Sequence, residues 1–203
     1  MKYITIIAPK GCGKTTLAEL LNKEINNSNI VSFAAPLDDI LSRYYIFKPG
    51  DNKEELKDNL NCNIPYRNAM DNLGKCFRTL NEKWLINIFL KQCDHIAETD
   101  VDKTIIVDDC RLENELKLMM SLNSAILLLE RDNYIPFSEE TTDTEWLAQY
   151  LIASFYHNDH MGICRELKQY PYFYHYKIPR FKSRKELEEY FLNNIIKKGE
   201  QNG

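Results

Sequence analysis

Apolar positions along the chain follow two periods. Residues 3–7, Tyr-Ile-Thr-Ile-Ile, form a β-branched run with the length of a buried strand. After a short turn, Leu17, Leu20, Leu21 and Ile25 fall on one face of a helix. A second strand is expected at 30–33. It runs into a helix with Pro36 in its first turn and Leu37, Ile40, Leu41, Tyr44 and Tyr45 on its apolar side. Residues 49–63 are polar, with Gly50 and Asp51 marking a turn. Across 68–93, Met70, Leu73, Phe77, Leu80, Trp84 and Ile88 keep helical spacing, which Gly74 and Asn81 are expected to break in two.

A third strand at 104–107 ends at Asp108 and Asp109, and a helix follows over 112–122. The strand at 124–129 is almost wholly apolar, as in a sheet covered on both faces. Residues 131–168 begin polar and turn helical over 145–156. A fifth strand is expected at 174–178. Ser183 and Glu186 then form a capping box for a closing helix with Leu187, Tyr190, Phe191 and Ile195 on one side. Residues 197–203 are expected to fray. Strands alternating with helices predict an α/β fold of three layers, with a parallel sheet of five strands and right-handed crossovers. Long excursions follow strands two and four, at the carboxyl ends where ligands sit in such sheets.

The first strand and helix are joined by Ala8-Pro-Lys-Gly-Cys-Gly-Lys-Thr-Thr16. A glycine-containing turn between a strand and a helix is the setting a phosphate-binding loop requires. The helix start offers unpaired N–H groups and the positive end of a dipole, and glycines let the backbone wrap an anion. Lys10, Gly11, Cys12, Gly13, Lys14, Thr15 and Thr16 are the expected nucleotide contacts. Lys14 is expected to reach the β- and γ-phosphates and Thr15 to ligate Mg²⁺. Ala8 stands where the usual pattern begins with glycine, which a negative φ accommodates.

Composition narrows the class. The 203 residues carry a formal net charge of −4, which argues against a nucleic-acid-coating surface. No apolar stretch is long enough to span a bilayer, and a strand opens the chain, so no signal peptide is expected. The six cysteines form no C-x-x-C pair and read as reduced thiols in a cytoplasmic protein without a zinc site.

Asp109 and Arg111 lie just beyond the third strand, at the edge that carries the loop. A carboxylate there can hold Mg²⁺ as the partner of Thr15, and an arginine two residues on can clamp a phosphate. Lys14, Asp109 and Arg111 are therefore the expected catalytic set, with Thr15 and Asp109 at the metal.

Four segments occur in a fixed order: the loop above, Phe33-Ala-Ala-Pro-Leu-Asp-Asp-Ile40, Arg67 through Leu73-Gly74, and Ile106-Val-Asp-Asp-Cys-Arg-Leu-Glu-Asn-Glu115. In this order they resemble the viral deoxynucleoside monophosphate kinases, a branch of the P-loop nucleoside monophosphate kinases. The resemblance covers residues 1–130, with an echo in Thr142-Asp-Thr-Glu145 and the final strand and helix. It implies one P-loop kinase domain with a CORE at 1–33, 96–130 and 170–198, a monophosphate-binding insertion at 34–95 and a LID at 131–169. It implies ATP and Mg²⁺ as cofactors, a deoxynucleoside monophosphate as acceptor, and the host cytoplasm as location if the source is viral. Ala34, Pro36 and Leu37 would flank the acceptor, Arg67 and Arg78 would contact it, and Gly74 would allow its close approach, with Trp84 packed behind. Arg111 would bridge the transferring phosphoryl group, with Arg131 and Arg180 on the ATP side.

Two features depart from the family. Lys75 follows Gly74 where a small hydroxyl residue is usual. Residues 131–159 carry Arg131 as their one strong cation amid Asp132, Glu139, Glu140, Asp143, Glu145 and Asp159. Two other readings stay open: a phosphomevalonate-kinase-like enzyme, and a nucleotide-binding protein with weakened catalysis. Tyr44, Tyr45 and Tyr66 stand between stacking at the acceptor and core packing. Oligomeric state is open, a homodimer included.

Overall fold

Strands β1 (Lys2–Ile7), β2 (Ser28–Ile30), β3 (Thr104–Val107), β4 (Ala125–Arg131) and β5 (Phe173–Ile178) form one sheet in the order β2-β3-β1-β4-β5. Every pairing is parallel, and Ile4 of β1 stands between Ile106 of β3 and Ala125 of β4. The computed structural model describes residues 1–46, 64–132, 146–156 and 162–196. Among these the helices are α1 (Lys14–Glu24), α2 (Ala35–Leu41), α3 (Tyr66–Leu80), α4 (Trp84–Thr99), α5 (Glu113–Ser121), α6 (Trp146–Tyr156), α7 (Gly162–Lys168) and α8 (Arg184–Phe191), the last running into a π-helical turn at Leu192–Ile196. The chain divides into two units, Met1–Val31 with Ile96–Gly203, and Ser32–His95.

In the first unit, Ile6, Ile106, Leu127, Leu129 and Ile178 pack under α1 and α8 in one core with Leu17, Leu21 and Phe191. Alternation turns Ile126, Leu128 and Glu130 to the opposite face, where all three are buried. There Phe155 of α6 stacks on Phe173 of β5 with ring centroids 5.3 Å apart. Helices on both faces of a parallel sheet make the three-layer α/β architecture expected from the sequence.

Several boundaries differ from expectation. The second strand lies at 28–30 rather than 30–33. The Ser28 hydroxyl donates to the carbonyls of Asn22 and Ile25, which locks the chain onto β3 early. The Ser32 hydroxyl then accepts from the Ala34 amide and turns the chain out of the sheet. At α8 the capping bond from the Glu186 amide to Ser183 is present, but the Glu186 carboxylate accepts from the Lys182 amide, one residue before the cap. Helix α7 was not expected. Within the 131–169 stretch, the described helices α6 and α7 bury Leu147, Leu151 and Ile152, and Ile163, Cys164 and Leu167. Residue 145, the expected start of the first of these, lies outside the described residues, as do 49–63, Thr142-Asp-Thr-Glu145 and 197–203.

The second unit holds α2, α3 and most of α4. Its core joins Leu41, Tyr45 and Tyr66 with Met70 and Leu73. The Tyr45 and Tyr66 rings meet edge to face at 5.2 Å. The Tyr66 hydroxyl donates to Asp38 and the Tyr45 hydroxyl to the Ile64 carbonyl. Both tyrosines are core residues, whereas Tyr44 is exposed. The chain breaks at Asn81, whose carbonyl and side chain accept from the amides of Trp84 and Lys83. Gly74 does not break α3 but lies buried inside it.

Candidate active site

Gly11 and Gly13 have φ of 78° and 79°, a left-handed backbone that side chains rarely adopt. Their spacing curls the loop, with the Cys12 amide bonded back to the Pro9 carbonyl. Ala8 keeps a negative φ, since the positive non-glycine values among the described residues belong to Asn27 and Asn123. The first bond of α1 runs from the Leu17 amide to the Gly13 carbonyl at 2.9 Å. The amides before it are the donors that a helix start offers to an anion. A Cβ built on Gly13 would lie 2.7 Å from Leu187 of α8, so the loop is pressed against that helix. Lys10 is exposed, Thr16 half-buried and Cys12 buried.

Lys14, Asp108, Asp109 and Arg111 interact electrostatically at the carboxyl edge of β1 and β3. Burial, then the Arg111 charge, holds the Lys14 pKa below the usual lysine value, against the pull of Asp108 and Asp109. The Thr15 hydroxyl donates to Asp108 Oδ2 at 3.3 Å. Burial and the neighbouring Asp109 raise the Asp108 pKa, and Lys14 and Thr15 oppose them. The carboxylate that meets Thr15 is therefore Asp108, adjacent to the Asp109 expected from the sequence. Asp109 acts on Lys14 through its charge.

Glu115 is a second residue that sequence reasoning passed over. Its buried carboxylate accepts from the amides of Arg111 at 2.8 Å and Leu112 at 3.0 Å. It satisfies the amides at the start of α5 and fixes the turn that carries Arg111. An acid at the third helical position was the available signal. The thiol of Cys110 is buried, which pushes its pKa well up and makes it a poor nucleophile.

Beside the loop is a cavity of about 260 Å³ lined by Gly11, Arg131, Ile178, Phe181, Lys182 and Leu187, among others. The Arg131 guanidinium donates to the Gly11 carbonyl, which brings that expected residue onto the loop. Arg180 is exposed and does not line the cavity, although Pro179 and Phe181 do.

In the second unit the expected acceptor residues Leu37, Gly74 and Arg78 come together. A Cβ on Gly74 would lie 3.3 Å from Leu37 Cδ1 and 3.0 Å from Arg78 Nη1. Pro36 sits in the first turn of α2, with Ala34 at its N-cap. Arg67 pairs with Asp71 one turn on, at 3.8 Å. Trp84 stacks on Phe77 at 3.9 Å.

The residues present fit the cofactors expected from the sequence. Thr15 and Asp108 place two hard oxygen donors together, which suits Mg²⁺ completing its shell with phosphates and water. The left-handed Gly11 and Gly13 and the amides at the start of α1 suit a loop wrapped around a polyphosphate. No family model matches the chain, and no curated protein matches it. Among solved structures the chain is similar to the dephospho-CoA kinase from Campylobacter jejuni, with 14% sequence identity and a TM-score of 0.48 over 100% of each chain. Among the described residues, no helix is long and apolar enough to cross a membrane.

Proposed function

We propose that this protein transfers the γ-phosphoryl group of Mg·ATP to a deoxynucleoside 5′-monophosphate. One observation carries the phosphotransfer half: Lys14, Arg111 and the Thr15–Asp108 pair converge at one strand edge beside a loop with two left-handed glycines. Phosphoryl transfer asks for positioning and for neutralised charge on the transferring oxygens, not for a covalent partner. Lys14 and Arg111 supply the fixed cations. Thr15 and Asp108 hold Mg²⁺, which when bound neutralises charge on the phosphates. Asp109 tunes Lys14, Glu115 holds the Arg111 turn, and Arg131 covers the loop from the ATP side.

The acceptor half rests on the order of motifs in residues 33–78 and on the grouping of Leu37, Gly74 and Arg78. Arg78 and Arg67 provide cations for a monophosphate, and Gly74 provides a notch for sugar or base. The test is coupled ADP release with ATP and every common deoxy- and ribonucleoside monophosphate. ADP formed with deoxynucleoside monophosphates is the expected result. Activity that ignores the nucleobase sinks the acceptor assignment. A phosphomevalonate control identifies one such enzyme.

A further inference from the structure

We propose that Asp71 reads the base of the acceptor and selects guanine. The inference rests on the reading of this protein as a nucleoside monophosphate kinase. Arg67, Asp71, Gly74 and Arg78 of α3 recur at intervals of four, three and four residues, so they share one face of the helix. Beside that face, Tyr66, Met70 and Leu73 pack into the core with Leu41 and Tyr45. The three charged side chains are half-buried, and Gly74 is buried against Leu37 of α2.

Charge decides which way the acceptor lies on this face. Asp71 pairs with Arg67 at 3.8 Å, so a phosphate bound at Arg67 would meet a carboxylate at close range. At the other end the Arg78 guanidinium lies against Gly74, with Nη1 3.0 Å from where a Cβ would stand. The phosphate therefore belongs with Arg78. From Arg78 back to Asp71 the helix runs about 10 Å at its usual rise per residue. A nucleotide bridges that span with its sugar over Gly74, which brings the base edge to Asp71 and Arg67.

A carboxylate accepts and does not donate, and a guanidinium donates and does not accept. Guanine sets two donors side by side, N1–H and the 2-amino group, with the acceptor O6 next to them. Both Asp71 oxygens and one Arg67 donor then have partners along that edge. Thymine offers a single donor, N3–H, between two carbonyl oxygens, one of which would face the carboxylate. Adenine and cytosine each turn a ring-nitrogen lone pair toward the carboxylate beside their amine.

The test is kcat/KM of the full chain with ATP and the deoxynucleoside monophosphates of guanine, hypoxanthine, xanthine, thymine, cytosine and adenine, followed by ADP release. The guanine nucleotide is expected to lead each of the others by about tenfold or more, including hypoxanthine, which lacks only the 2-amino group. Asp71→Asn puts an amide donor in place of one carboxylate oxygen. It is expected to shift the guanine-to-xanthine ratio about tenfold or more toward xanthine, which carries a carbonyl where guanine has the 2-amino group. A helix-surface role for Asp71 would leave that ratio in place. Arg78→Met is expected to raise KM for every monophosphate alike. A guanine lead below that margin, a ratio that Asp71→Asn does not move, or an Arg78→Met defect confined to one base overturns the inference and leaves the kinase reading standing. Absence of ADP with all of these acceptors removes the kinase reading and the inference together.

Discussion

The Thr15 hydroxyl meets Asp108 across 93 residues of sequence, tying the start of α1 to the end of β3. On the proposed reading, Asp108 shares Mg²⁺ with Thr15. Asp108→Asn is expected to raise the Mg²⁺ concentration for half-maximal turnover and to lower activity about 10–100-fold, the range for perturbing a metal's supporting ligands. Asp109→Asn should cost less. It also removes a like charge that raises the Asp108 pKa, so its acid limb should move to lower pH. Magnesium titrations at several pH values check both variants. A larger Mg²⁺ defect in Asp109→Asn would return the metal to Asp109.

Gly13 faces a penalty that Gly162 does not. Both have positive φ, 79° and 56°, but a Cβ on Gly13 would strike Leu187 at 2.7 Å and one on Gly162 meets nothing within 4 Å. Gly162→Ala should cost about 1–2 kcal/mol of left-handed strain. Gly13→Ala should add about 1–3 kcal/mol of overpacking against α8. For a domain of this size each kcal/mol lowers the melting temperature by about 2–4 °C. Calorimetry should therefore separate the variants by several degrees. Equal losses would mean that α8 yields freely.

What the sequence discloses is what is decided locally. The strand, glycine turn and helix at 3–25 were readable because Gly11, Gly13 and the apolar spacing act within a few residues. The choice between Asp108 and Asp109 was not. Both follow the last residue of β3, where strand alternation ceases to aim side chains. Gly74 suggested a helix break because a helical glycine costs about 1 kcal/mol relative to alanine, yet a cost of that size does not stop a helix of 15 residues. Helix α7 is seven residues long, too short for Ile163, Cys164 and Leu167 to show a period. Glu115 reads as an ordinary surface acid until the Arg111 amide is seen to need it.

Gly74 allows packing and acceptor binding to be told apart. Alanine there gains helix propensity of about 1 kcal/mol. Its Cβ displaces the flexible end of Arg78 and presses on Leu37 Cδ1 at 3.3 Å. Gly74→Ala should therefore melt no lower than the wild type. If the notch admits the acceptor, KM for the monophosphate should rise about tenfold, within the range for crowding a pocket by a methyl group. A lower melting temperature with an unchanged KM would make Gly74 a packing residue alone.

His175 couples stability to pH through its own burial, beside a buried carboxylate. Its Nε2 lies 2.8 Å from Oε2 of Glu130, and the Tyr156 hydroxyl donates to the other oxygen. Phe155 covers the imidazole, and Lys177 lies over the Tyr156 ring at 4.9 Å. Burial lowers the His175 pKa from 6.5 and Lys177 adds to this, while Glu130 opposes them. The folded chain therefore binds fewer protons at this site than the unfolded chain does as pH falls through that range. The stability from neutral His175 is present above the unfolded value of 6.5 and is lost as pH falls through the folded value. His175→Gln keeps a donor for Glu130 but cannot titrate. The stability advantage of wild type over His175→Gln should accordingly shrink as pH is lowered, which urea unfolding at a series of pH values measures. Parallel stability curves for the two proteins would show that His175 takes up its proton equally well folded and unfolded.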